Sequence, residues 1–502
     1  MDMTDQYIFL LPVQGRDARA WRKPLILLAG FTNHNRGSAR MAIEREYGTE
    51  QPYIPMGILK LRIPFIHYKW EWPEAIQGAI LVAVALGSIP VHQELLGVSF
   101  EVALLMVALN GLLYLLHPTF GDPVFPGWIT PAIPLVLAFG KGYAAGPDRI
   151  HAIIALQLSM AVLFLFLGIT GLGKKLISLV PMAMRAGIIL GAGIAATWTV
   201  IMPKGRMSGS EITIMTGAFL CWLVLFSFRF GEKKKTSAWM QFLSKYGMLP
   251  GIIVAAIIGP IIGEIPFPKV QMGFIDLSLV PKLMEHTVFG VGFPPIRFFI
   301  EALPLVFAAY IIAFGDFVLA EVVTKAADEV RQDEVIEFNP NRSNIISGFR
   351  NLIMGLVAPY GPLCGPLWAG GTIAIAERYK HGRSAMDSIY GGAGSFIIAM
   401  FISSLFLPVI SLLRPVLPTA LSLTLLVQGY ACCYIAMDMC KTNQERGVAG
   451  IMGIFLAAKT AAWGLGIGIL MYLVIGNSRQ EAVAAIEKAL PNVNPPKGGL
   501  TS

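Results

Sequence analysis

From Trp72 onward the chain is a succession of apolar stretches of about 15 to 25 residues, the length an α-helix needs to cross ~30 Å of hydrocarbon. Spans are expected at about 74–92, 97–117, 124–141, 150–171, 180–202, 211–229, 248–265, 301–323, 343–359, 364–377, 388–412, 416–437, 447–460 and 462–476. Composition closes off the soluble alternatives. Apolar residues make up 55% of the 502 and charged ones only 14%, against about 25% charged in a soluble domain. So little charge cannot cover a globule of this size, which excludes a soluble enzyme, a disordered protein and a nucleic-acid binder. The net charge of +8 does not reopen the last class, because the basic residues sit in short clusters between apolar runs. The chain reads as an all-α polytopic membrane protein with about fourteen spans.

Residues 1–70 hold many basic residues and no spanning run, and are expected to form a cytoplasmic N-terminal segment, partly on the membrane surface. The transporter domain is placed at 71–476 and a short cytoplasmic tail at 477–502. The proline-rich stretch 266–300 is expected to be an external connection with room for a surface helix. Lys and Arg counts set the orientation. Lys174 and Lys175, Arg229 with Lys233 to Lys235, Lys325 with Arg331 and Arg342, Arg378 with Lys380 and Arg383, and Lys441 with Arg446 fall in alternate loops. The intervening loops carry fewer, which puts both termini inside. Five cysteines without a CxxC pair give neither a disulfide framework nor a zinc site. No cofactor is expected.

The two halves echo each other. One span opens Asp122-Pro-Val-Phe-Pro-Gly-Trp128-Ile-Thr130-Pro, and another, seven spans on, opens Tyr360-Gly-Pro-Leu-Cys364-Gly-Pro-Leu-Trp368-Ala-Gly-Gly-Thr372. Each is an extended Pro/Gly piece followed by Trp and Thr and then a short helix. Paired interruptions of this kind point to an inverted-repeat transporter and its central site; simple kinks in two ordinary spans are the plainer alternative. A helix starting at mid-membrane presents unpaired N–H groups and the positive end of its dipole. The candidate substrate-binding residues are therefore Trp128, Ile129 and Thr130 on one side and Cys364, Gly365, Leu367, Trp368 and Ala369 on the other. The two tryptophans either wall the pocket or sit at the membrane interface. No Arg or Lys lies in either lead-in, so an anion there would be held by backbone dipoles.

Acidic residues within the spans are few. Asp316 lies deep in 301–323, where an ionised carboxylate costs several kcal/mol and marks a functional site by default. It is read as the cation-coupling residue, the alternative being a structural ion pair with Arg185 or Lys459. A proton needs one carboxylate, whereas sodium wants several oxygens, and the i+4 position is Ala320; a proton is therefore favoured over sodium. Glu321, about 140° further round the helix, is expected to pair with Lys325 at i+4. Glu377, beside Arg378, and Lys459 read as interfacial residues.

At this point the chain resembles the sulfate permease-type anion transporters and their nucleobase–cation symporter relatives, over about 74–476. The resemblance rests on Leu179-Val-Pro181 through Gly187, Gly191 and Gly193, on Phe314-Gly-Asp316, and on Asn339-Pro-Asn341-Arg342 with Gly348-Phe-Arg-Asn351 and the second Pro-rich lead-in. It implies two inverted seven-span repeats, about 74–265 and 301–476, core and gate domains, two half-helices at spans three and ten, and a homodimer. It also puts Asp316 at the family's cation-coupling position. Nucleobase symporters carry a carboxylate at the start of span ten where Trp368 stands, and the Arg that many sulfate permease-type proteins have there is missing. Their cytoplasmic regulatory domain is not expected in the tail.

The function that follows is secondary active transport of a small anion, an organic acid or small oxyanion, coupled to a proton and operating by alternating access in the plasma membrane. A nucleobase-type proton symporter is the alternative within transport, and an uncoupled anion channel the alternative outside it. Two helix ends offset about one negative charge, which suits a monoanion. An enzyme is not expected: the sequence has no His cluster, no GxSxG and no P-loop.

Overall fold

The computed structural model describes residues 43–234, 236–237, 239–240, 243 and 247–475. The first part of the expected N-terminal segment and the tail 477–502 lie outside the described residues. Among the described residues, six helices are long and apolar enough to cross a membrane: Trp72–Leu96, Phe100–Thr119, Pro147–Thr170, Met182–Ile201, Ile296–Val330 and Leu407–Met439. Glu211–Phe226 and Phe228–Lys234 qualify as a pair bent by 58°, and shorter apolar helices run over Thr130–Lys141, Leu249–Ile262, Ile389–Ser403 and Ala461–Ile475. Pro340–Val357, Ala369–Tyr379 and Asn443–Ala458 complete the set. Each expected span falls on one of these helices.

One boundary is corrected. The expected span 388–412 ends at Ser403, and Leu407–Leu413 opens the next helix instead. Pro408 sits in the first turn of that helix, where its missing N–H costs nothing, and Phe406 before the helix is extended. The stretch 266–300 contains one short helix, Val280–Met284, behind a 3-10 turn.

The helices sort into two bundles, and their pairings exchange when the halves of the chain are exchanged. In the first bundle Trp72–Leu86 packs on Ile389–Ser403, just as Ile296–Val330 packs on Pro147–Thr170. Phe100–Leu113 meets Ile389–Ser403 as Pro340–Val357 meets Pro147–Thr170. In the second bundle Glu211–Phe226 lies on Leu249–Ile262 as Asn443–Ala458 lies on Ala461–Ile475. This is the packing of two intertwined inverted repeats. Small residues allow the closest approach, as lipid-embedded helices require: a Cβ on Gly193 would stand 2.9 Å from the carbonyl oxygen of Gly429 on the facing helix.

Residues 43–71 fold against one end of the first bundle. A two-stranded hairpin, Ile54–Met56 with Leu59–Leu61, is extended by Lys60 and Arg62, whose N–H groups donate to Phe120 and Thr119. Arg62 is fully buried, with its guanidinium 4.0 Å from the centre of the Tyr390 ring and a bond to the Gln51 carbonyl. Arg45 pairs with Asp333 at 2.8 Å and donates to the Asp387 carbonyl.

Candidate functional site

The two Pro/Gly lead-ins cannot continue as helix, and they meet as strands. Gly127 and Trp128 pair antiparallel with Gly365 and Cys364. Glycine is required on both sides of this crossing: a Cβ on Gly127 would lie 2.7 Å from the Leu367 carbonyl oxygen, and one on Gly365 2.8 Å from the Trp128 carbonyl carbon. Past the crossing each chain turns into a short helix, Thr130–Lys141 and Ala369–Tyr379. The residues before them, Ile129 and Trp368, offer no capping side chain. The first N–H groups of Ala369–Tyr379 stay open, whereas at the other start Pro131 and Pro134 carry no N–H and those of Ala132 and Ile133 donate to the Ile129 and Thr130 carbonyls. Thr372 ties the lead-ins together, its hydroxyl accepting from the Phe125 N–H at 3.0 Å and donating to the Phe125 carbonyl at 3.2 Å. The Trp368 indole stands edge-to-face with Phe125 and Phe396.

Of the candidate binding residues, Trp128, Thr130, Trp368 and Ala369 are half-buried at this crossing, while Ile129, Cys364, Gly365 and Leu367 are buried behind it. The helix Ile296–Val330 packs against both short helices, with Leu319 and Ala320 set against Leu367 and Ala369. One turn earlier on the same helix, Asp316 is half-buried, and this helix also packs on Ala461–Ile475 of the second bundle. It therefore lies where the bundles meet, and no hydrogen-bond or ion-pair partner is found for it among the described residues. Arg185 and Lys459 do not fill that role: the Arg185 Nε is buried without a partner and Lys459 is exposed at a helix end. The expected Glu321–Lys325 pair is replaced by a contact of 3.7 Å between Glu321 and Lys174, which the end of Pro147–Thr170 brings alongside. Glu377 pairs with Lys380, leaving Arg378 to Glu74.

Sequence reasoning missed the polar scaffold beneath the crossing. Arg350, on Pro340–Val357, is fully buried and donates to the carbonyls of both Gly365 (2.7 Å) and Gly127 (3.2 Å), as well as to Asn110 Oδ1. Asn351 bonds the N–H and the carbonyl of Cys364, and Gln157 accepts from the Tyr360 N–H. His117 stands between Asp122 and Arg350. The available signal was a set of polar residues inside apolar runs, and Arg350 is basic within an expected span.

Two ion pairs join the bundles on the face where Trp72–Leu96 passes into Phe100–Thr119. Arg206 pairs with Glu94, which also holds Lys141, and Arg414 pairs with Glu101 at 3.1 Å. The opposite face, where residues 43–71 lie, has a cavity of about 300 Å³ reaching Lys174, Phe314 and Asn341.

Comparison with known proteins gives the family. Residues 75–364 match the model described as Permease family, whose label is Xan_ur_permease. No curated protein sequence matches the chain. Among solved structures, the transmembrane domain of the bicarbonate transporter BicA from a cyanobacterium aligns with 15% identity over 83% of this chain and 97% of its own, at a TM-score of 0.45. SLC26A9 aligns with 13% identity over 81% of this chain and 66% of its own, at 0.48. The murine Slc26a9 anion transporter in an inward-facing state aligns with 14% identity over 80% and 68%, at 0.42. With more than half of its length inside the family match, the chain belongs to the permease family and is an integral membrane transporter, not an enzyme.

Proposed function

We propose that this permease is a secondary active transporter of a small organic monoanion, driven by a proton carried on Asp316 and working by alternating access. The observation that carries the reading is the meeting of two helix starts without capping side chains at one crossing, one helical turn from a carboxylate, Asp316, that has no partner among the described residues. Each helix start amounts to roughly half a positive charge, so the pair offsets about one negative charge. Trp128, Trp368 and Phe125 make the surroundings apolar, which favours an organic anion over a strongly hydrated inorganic one. An ionised Asp316 would cancel much of the field, so its protonation makes the site attractive and couples the two events. The ion pairs that join the bundles on one face support a transporter closed on one side at a time. We further place the protein in the plasma membrane as a homodimer, with both termini cytoplasmic.

A nucleobase symporter is the second reading, favoured by the label of the family match. The indole of Trp368, standing where those symporters have a carboxylate, weighs against it.

The test is uptake into liposomes of carboxylates, oxyanions and nucleobases, with imposed proton or sodium gradients. Asp316→Asn is expected to abolish pH-driven accumulation without lowering the melting temperature. Uptake that requires sodium and ignores the pH gradient refutes proton coupling, and uptake of nucleobases alone replaces the anion reading.

A further inference from the structure

The chain Asp122–His117–Arg350 has a defined polarity. An arginine donates only, so His117 Nε2, 3.3 Å from the guanidinium, must accept. Its Nδ1 then carries the hydrogen and donates to Asp122 Oδ2 at 2.8 Å. All three side chains are buried, with at most 1% of their surface exposed. The guanidinium sits under the crossing on the carbonyls of Gly127 and Gly365, while the carboxylate is held away from it by the length of an imidazole ring. The result is an oriented dipole with its positive end at the two helix starts. Neutral amides would suffice to hold two carbonyls. A buried charge at membrane depth is expensive, and its presence calls for an electrostatic role.

We infer that Arg350 is the positioning and charge-selecting residue of the transport site, aligning both helix starts through Gly127 and Gly365, and that its balance with Asp122 through His117 restricts the site to singly charged anions. This rests on the reading that the crossing holds an anion. Arg350 spends its donors on backbone and side-chain acceptors, apart from an unpartnered Nε, so it acts through the backbone and through its field. With Asp122 returning its charge, the helix starts are left to offset about one unit.

The test is charge selectivity in liposomes, using propionate and malonate as a monoanion and a dianion of equal carbon number. Asp122→Asn keeps an acceptor for His117 and removes the balancing charge. It is expected to lower the KM for malonate relative to propionate by about fivefold or more, as a unit charge change within ~10 Å at low effective dielectric implies. Arg350→Gln is expected to raise the KM for both, and the double variant to return the ratio toward that of the unaltered protein. A purely structural role would move melting temperature and maximal rate but leave the ratio alone. If Arg350→Gln does not fold, Asp122→Asn decides the matter. An unchanged ratio in folded Asp122→Asn overturns the charge-selecting role while leaving anion transport standing; an unaltered protein that carries no anion at all overturns both.

Discussion

Neutralising both ion pairs between the bundles should open the face they close. The Glu101–Arg414 side chains are 48% and 47% exposed, and Arg414 also lies 4.0 Å from the centre of the Phe100 ring. An exposed pair with one such stacking contact is worth about 1 kcal/mol. Glu94 and Arg206 are 27% and 14% exposed. Breaking a fully buried pair costs about 3–5 kcal/mol, but Glu94 keeps Lys141 at 2.5 Å, so the loss there is nearer 1 kcal/mol. Arg206→Gln with Arg414→Gln therefore removes about 2 kcal/mol from one conformer, a shift of about thirtyfold in the equilibrium between the two. Leu104, buried beside a cavity of about 350 Å³ that Glu101 and Arg414 also line, reports the change. In a background with the native cysteines replaced, Leu104→Cys is expected to react with a maleimide at least tenfold faster when both arginines are neutral. An unchanged rate with an unchanged melting temperature would refute the assignment of these pairs as the closure.

Three further outcomes are expected. Gly365→Ala drives a Cβ onto the Trp128 backbone and should lower stability by about 1–3 kcal/mol, read as a drop in melting temperature with transport lost. Burial, with Glu74 and Asp387 adding to it, pushes the Glu71 carboxyl up to about 7 against the Asp387 N–H bond and Arg378. The folded protein thus holds a proton that the unfolded chain releases near the ordinary carboxylate value, and this contribution to stability is lost as pH rises through about 7; Glu71→Gln should flatten the melting temperature over that window, and an equally steep profile would count against it. Thiols introduced within 270–290 should be labelled from outside the cell and thiols at Lys233 or Lys234 should not; the reverse pattern would invert the proposed topology.

The spans were legible because hydropathy over about twenty residues is a strong signal, and the crossing was legible because Pro and Gly forbid helix at matched places. Pro340–Val357 was placed correctly despite its polar face, since Arg342, Asn344, Arg350 and Asn351 are buried against other helices rather than exposed to lipid. What the sequence could not supply was partnership. Nothing in it says that Arg350 reaches carbonyls on two separate lead-ins, or that Glu321 turns to Lys174 rather than to the nearer Lys325. Both outcomes depend on how helices far apart in the chain are set side by side. A basic residue inside a span, as at Arg350, carries the same signal as an acidic one.

Exchange of the two halves carries the main helix pairings of each bundle into their counterparts, but it has nothing to carry residues 43–71 into. That hairpin and its arginines engage Thr119, Phe120, Asp333, Asp387 and Tyr390, all at one end of one bundle. A perfectly two-fold molecule would rest equally in either of its two access states. If the protein alternates as proposed, it is weighted at one end, and its two access states would differ in free energy before any substrate or proton arrives. The resting orientation would then be written into a segment outside the proposed substrate and proton sites.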